Sequence, residues 1–259
     1  MNEHGVGVMA SADQGDVQET AVLGVRQTDP PRQRSLPSPH YADRVSEFAG
    51  FPVAALDFYD DLEVDNTKSF WEKHKATYDN DVKAPMTALV TALAPQFALD
   101  GKTYKVFRPY RDVRFAKDKT PYKTNQGAYV AVAPSTGWYV EIAARGVRTG
   151  GGCYDMSAER LSAFRDAVAD DKSGAQLTRI TNRLTKAGWE LGGDQLKTAP
   201  RGYDANHKRI ELLRHKSLFA GRSYGFDEVI HSPQLLDEVR ADWQALRPLI
   251  EWLARTSSE

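Results

Sequence analysis

The chain has 259 residues, with 34 Lys+Arg set against 35 Asp+Glu. A net charge this close to zero excludes a protein that coats nucleic acid or an anionic membrane with its whole surface, so electrostatic function has to come from local clustering. The single cysteine, Cys153, excludes an intrachain disulfide and leaves a cysteine-based zinc site without partners.

Nothing in the sequence reads as a membrane span, which needs roughly 18 apolar residues, and the N-terminus lacks a basic stretch followed by an apolar one. The expected setting is the cytoplasm, with no membrane partner. Residues 1–45 read as a disordered tail: "TDPPRQRSLPSPH" (28–40) is too rich in Pro, Ser and polar residues to hold a regular element. One α+β domain is expected over 46–259.

The first predicted helix is "FPVAALDFYDDLEV" (51–64), with Ala54, Phe58 and Leu62 at helical spacing. Asn66 reads as the N-cap of a long helical stretch at about 67–97, in which Pro85 predicts a kink or a new start. Trp71, His74 and Tyr78 lie close together on that stretch, an aromatic stripe that reads as core.

From Gly101 the pattern changes. "TYKVF" (103–107), "RDVRFA" (111–116), "AYVAVA" (128–133) and "GWYVEIAARGV" (137–147) are short and rich in β-branched and aromatic residues, with "APSTGW" as a hairpin turn. "GGG" (150–152) reads as the end of the sheet region, a tight turn or bulge ahead of a helix capped by Ser157. A second helix at about 174–187 ends at Gly188, "WELGG" and "SLFAGRSYG" are candidate short strands, and 205–216 reads as a short helix. An amphipathic helix at about 232–254 closes the chain, with Leu235, Leu236, Val239, Trp243, Leu246, Ile250 and Leu253 on its apolar face. The predicted fold is a single α+β domain, an antiparallel sheet of about four strands with helices packed on one face.

One segment departs from the even charge balance. Lys105, Arg108, Arg111, Arg114, Lys117, Lys119 and Lys123 face only Asp112 and Asp118, a local excess of five positive charges. Read as a strand, 111–116 sends Val113 and Phe115 toward the core, and Asp112 and Arg114 away from it. The Pro-stiffened loop that follows gathers Lys117, Lys119 and Lys123. Arginine forks and lysine point charges are the side chains that receive phosphate or carboxylate, with a carboxylate such as Asp112 or Asp118 to orient them. Against this stands an ordinary solvated charge run whose members pair with one another.

"RDVRFAKDKTPYKT" resembles the signature of the bacterial and fungal family known as domain of unknown function 2461, whose motif reads Arg-Asp-Val-Arg-Phe-Ser-Lys-Asp-Lys-Thr-Pro-Tyr-Lys. Residues Arg111 to Phe115 and Lys117 to Lys123 match it, and Ala116 stands where Ser is usual. "NTKSFWEKHKATYDNDVKAPM", "GGGCY" and "PRGYDANH" extend the resemblance over about 50–255. It implies kinship and carries no activity.

Further candidates are Gly150, Gly151 and Gly152, whose amides could cradle an anion, with Arg145 and Arg148 upstream of them. Tyr203 and His207 lie on a loop that could border the same cleft. His207, Glu211 and His215 recur every four residues, a spacing that is more often a solvated helix face than a metal site. No metal and no cofactor are predicted. The expected function is binding of a phosphorylated or other anionic ligand by Arg111, Asp112, Arg114, Lys117, Asp118, Lys119, Tyr122 and Lys123. The alternatives are an enzyme using Asp112, Tyr122 or His207 as acid or base, and a module for nucleic acid or an acidic partner.

Overall fold

The computed structural model describes residues 47–256, and the expected disordered tail lies outside them. Helix α1 (Val53–Val64) buries Ala55, Phe58, Tyr59 and Leu62, the stripe read from the sequence with its neighbours. The break at Asp65 and Asn66 is capped by Thr67, whose hydroxyl accepts from the Phe70 amide at 3.2 Å. Thr67, not Asn66, is therefore the N-cap of α2 (Lys68–Thr77). A π-helical turn (Tyr78–Lys83) joins α2 to α3 (Ala84–Phe97), and Pro85 sits in the first turn of α3. Proline has no amide to bond to the preceding turn, which accounts for a wider turn just before it.

The sheet holds six antiparallel strands where the sequence suggested about four: β1 (Tyr104–Val106), β2 (Asn125–Ala133), β3 (Thr136–Ala143), β4 (Gly146–Cys153), β5 (Glu190–Gly192) and β6 (Leu218–Gly225). Their order is β1-β2-β3-β4-β6-β5. Residues 137–147 are two strands joined by a turn at Ala144–Arg145, because Gly146 takes a φ of +97° in which a Cβ would strike the Gly225 carbonyl oxygen. Gly150–Gly152 are no turn. They lie inside β4, flanked by β3 and β6.

Helices α4 (Ala158–Ala169), α5 (Asp171–Lys186), α6 (Ile210–Leu213) and α7 (Gln234–Arg255) complete the order. Ser157 caps α4 as expected, and Gly188 follows α5 with φ +83°. The helix expected at 205–216 shrinks to the single turn of α6.

Helices cover one face of the sheet. Trp138, Val140 and Ile142 of β3 point into that side with Ala128 and Val130 of β2. Trp243 of α7 stacks on Trp138 at 5.7 Å and donates its indole N–H to Thr149 Oγ1 at 2.8 Å. The Trp138 indole donates to the Phe97 carbonyl at 3.0 Å, so four elements, β3, β4, α3 and α7, meet with their buried polar atoms matched. Tyr224 and Arg222 of β6 reach Asp242 of α7 at 2.6 and 3.1 Å. Among the described residues no helix is long and apolar enough to cross a membrane.

Candidate functional site

The basic segment is a loop, not a strand. Its ends meet at the Tyr110–Tyr122 bridge, where the Arg111 amide donates to the Pro121 carbonyl at 2.9 Å and the Lys123 amide to that of Pro109 at 2.7 Å. Between them the carboxylates capture nearby backbone amides, Asp112 that of Arg114 at 3.2 Å and Asp118 that of Thr120 at 2.9 Å. Such local bonds compete with a ladder and turn the chain. The period-two reading therefore fails: Val113 is only half-buried, and Phe115 stands 96% exposed.

Most of the loop's cations hold the loop itself. Arg111 bonds the Asp118 carboxylate and the Thr120 hydroxyl. Arg114 grips Asp112 through Nε at 3.0 Å and NH2 at 2.6 Å. Lys119 donates to the Val113 carbonyl at 2.8 Å. The Arg114 guanidinium holds the Asp112 carboxyl down at about 2, and the Thr120 amide, with Arg111, holds Asp118 there too. Lys117 is exposed on the loop.

The loop's far end is anchored by Tyr122. Asn66 donates to the Tyr122 carbonyl at 3.0 Å and accepts from its amide at 3.1 Å. The Tyr122 ring lies on Trp71 at 4.3 Å and 8°. Asn66 thus ties the signature to the start of α2, and the aromatic stripe on that helix is core, with Trp71 and Tyr78 buried.

The chain then enters β2 and brings Lys123 and Asn125 to the sheet face opposite the helices. Strand register builds that face in rows. Lys105, Tyr129, Tyr139, Gly150, Gly221 and Glu190 stand opposite one another across all six strands. Gly127, Glu141, Arg148 and Ser223 form a second row, and Gly137, Gly152, Phe219 and Gly192 a third.

Glycine lets rings lie flat here. A Cβ on Gly127 would lie 2.5 Å from the Tyr139 oxygen, one on Gly137 2.8 Å from the Tyr129 ring, and one on Gly192 2.4 Å from the Phe219 ring. Within β4, a Cβ on Gly152 would lie 2.3 Å from the Leu218 carbonyl oxygen and one on Gly151 3.1 Å from Ile250, so the close approach of β6 and α7 accounts for these two glycines. The backbone of Gly150–Gly152 is occupied by ladders on both sides.

Polar groups sit among these rings. The Tyr139 hydroxyl donates to Glu141 at 2.8 Å, and Asn125 bonds the same carboxylate. Arg148 lies 3.8 Å from Glu190. Lys105 and Lys123 each hold an ammonium over the Phe107 ring, at 5.9 and 5.7 Å, and that ring is 6.2 Å from Tyr139. Tyr129 and Tyr154 meet edge to face at 5.6 Å, and both phenol oxygens are buried without a hydrogen-bond partner. Leaving a buried polar group unmatched costs about 1–3 kcal/mol. Burial pushes both phenols upward, so both keep their protons.

Tyr203 and His207 bond elsewhere. The Tyr203 hydroxyl donates to Asp166 of α4 at 2.8 Å, and burial and that carboxylate push it up to about 12. His207 Nδ1 accepts from the Arg209 amide at 3.1 Å. Buried Arg209 donates to the carbonyls of Val168, Ala169 and Asp170 at 2.6 to 2.9 Å, closing the end of α4. Glu211 pairs with Arg214, while buried His215 contacts Ser217 O and Gln195, so the three evenly spaced residues share no helix face.

The structure thus joins the Lys123 end of the signature to the β4 glycines through β2 and β3, and places Tyr203 and His207 at the α4–α5 junction. Sequence reasoning did not single out Asn125, Tyr129, Tyr139, Glu141 and Tyr154, which come together on this face, and counted Lys105 only within the local charge excess. The signal was present in the strand alternation: Gly127 and Tyr129, then Gly137, Tyr139 and Glu141, each spaced by two on the phase opposite to the apolar residues.

The family described as Conserved hypothetical protein (DUF2461) matches residues 54–252 of the chain. A search of curated proteins returned no match.

Proposed function

We propose, from the premise that the chain belongs to the DUF2461 family, that it binds a phosphorylated or otherwise anionic ligand at the basic segment, where it meets the sheet face opposite the helices. One observation carries this reading. Lys105 and Lys123, from opposite ends of the segment, bring their ammonium groups over one ring, Phe107. With Arg108, Arg111, Arg114, Lys117 and Lys119 they share this segment with only two carboxylates, Asp112 and Asp118, and that local excess of positive charge favours an anion. Arg111, Arg114 and Lys119 act as the frame that sets this geometry, through Asp118, Asp112 and the Val113 carbonyl.

Binding is favoured over catalysis by Asp112 or Asp118. A general base working near neutral pH needs a pKa near that pH, and these carboxyls lie at about 2. A ligand selective for the folded state raises stability by RT ln(1 + [L]/Kd), about 2.7 kcal/mol at a hundredfold excess over Kd. Thermal unfolding with inorganic phosphate, pyrophosphate, sugar phosphates and nucleotides tests the reading. At least one should raise the Tm, and the Lys105→Ala/Lys123→Ala variant should lose the shift. A wild-type protein indifferent to the whole panel overturns it.

A further inference from the structure

We propose that the end of the sheet from which the signature loop emerges is a docking surface for a second copy of this chain, closed by a two-fold axis. This surface goes beyond the anion site and uses neither Lys105 nor Lys123.

Three aromatic rings stand exposed among the described residues: Tyr110 at 49%, Phe115 at 96% and Phe226 at 72%. Strand register brings all three to one end of the sheet, although Phe226 lies far from the loop in sequence. Asn125 opens β2 opposite Ala143, Ala143 faces Gly146 at the start of β4, and Gly225 lies opposite Val147 at the end of β6. The loop leaves from this end, with the Tyr110–Tyr122 bridge at its base, and Phe226 follows directly on Gly225. Exposed rings collected in one place mark a surface that meets another protein, where aromatic residues and arginine are enriched.

Charge narrows the choice of partner. Lys117 and Lys119 are exposed on the loop, on the β1–β2 side, and Arg145 is exposed on the turn between β3 and β4. Counted over the whole segment the excess is five positive charges, which Glu63 and Asp65, next to Asn66, reduce without cancelling. On the β6 side the exposed charges are Asp227, Glu228 and Glu238, the last close enough to act on the Tyr224 phenol. Neighbouring strands lie about 4.8 Å apart, so the basic and acidic flanks are separated by roughly 14 Å from β2 to β6.

A polyanion laid along this end would be repelled at the β6 side. A second copy turned by a two-fold axis sets the basic flank of each chain against the acidic flank of the other, and brings Phe115 of one toward Phe226 of the other. The near-zero net charge leaves no overall repulsion between copies. The loop is also held ready: the Arg111–Asp118 and Arg114–Asp112 pairs and the Asn66 bonds to Tyr122 fix it, so Phe115 is presented with little left to order on association.

Sedimentation equilibrium of the full chain, at concentrations up to about 100 μM, tests this. The mass should rise to that of two chains and stop there. Phe115→Ala/Phe226→Ala removes two exposed rings, so the fold should hold while association weakens about tenfold or more, as for aromatic anchors at interfaces. Lys117→Glu/Arg145→Glu and Glu228→Lys/Glu238→Lys should each be monomeric alone, because like charges then face each other. An equimolar mixture of these two variants should regain the dimer. A wild-type chain that is monomeric throughout overturns the proposal and assigns the surface to a different protein. A dimer untouched by the alanine pair, a mixture of the charge variants that stays monomeric, or a mass that climbs past two chains overturns it as well.

Discussion

Asn66 and Tyr122, 56 positions apart, form a closed two-way pair: the Asn66 side chain reads both the carbonyl and the amide of Tyr122, as a neighbouring strand would. The signature loop leaves the sheet after β1 and returns at β2, and this pair fixes its return to the start of α2. The stacked Trp71 ring completes the anchor.

Removing that anchor should loosen the loop before it unfolds the domain. Asn66→Ala leaves two backbone groups of Tyr122 unmatched, a cost of about 1–3 kcal/mol. Urea unfolding should show a lower midpoint at an unchanged slope. Amide exchange should rise first across residues 110–123. Wild-type protection there in the variant would mean that Trp71 and the Tyr110 bridge hold the loop alone.

The loop should also respond to acid. Asp112 and Asp118 sit at about 2, against an ordinary 3.8. Their folded values are depressed, so the pairs with Arg114 and Arg111 contribute fully above the ordinary value, and that contribution is lost as pH falls through about 2. Carboxyl carbon NMR should place both midpoints well below the ordinary 3.8. Midpoints near 3.8 would show that the two arginines are not held in these pairs in solution.

The β4 glycines make a steric prediction. A Cβ on Gly152 would lie 2.3 Å from the Leu218 carbonyl oxygen and from the Phe219 Cα, both backbone atoms that cannot swing aside. Gly152→Ala should destabilise the domain by about 1–3 kcal/mol, the range for overpacking. Gly202 has open space around its Cβ position but a φ of +91°. Gly202→Ala should therefore cost only backbone strain, about 1 kcal/mol. Equal midpoints for the two variants would argue against the close strand approach at Gly152.

The Tyr203 loop should be separable from anion binding. Tyr203→Phe removes one hydrogen bond, to Asp166, and should cost about 0.5–1.5 kcal/mol. The phosphate-induced thermal shift should keep its size. A lost shift would bring the Tyr203–His207 loop back to the ligand site.

Much of the fold is legible in local pattern. The helical spacing of Phe58 and Leu62 and the apolar stripe of α7 follow from a period that any buried helix face must satisfy, and both are buried as read. The alternation in β2 and β3 is equally legible. The 111–116 segment misleads because Val113 and Phe115 alternate as a strand would, while Asp112 and Asp118 offer the backbone nearer partners than a second strand. The glycine run misleads for the opposite reason, since a glycine needed for close strand approach looks in sequence like one needed for a turn.

The sequence by itself determined the α+β class, the two layers and the local excess of positive charge, because composition and short-range period suffice for these. Only the tertiary structure decided which cations steady the loop and which reach the sheet. Arg111 and Arg114 meet Asp118 and Asp112 within a few residues. Lys105 and Lys123 converge because β1 and β2 pair across the whole loop. Convergence of this kind comes from strand register between distant segments, and one-dimensional spacing carries no measure of it.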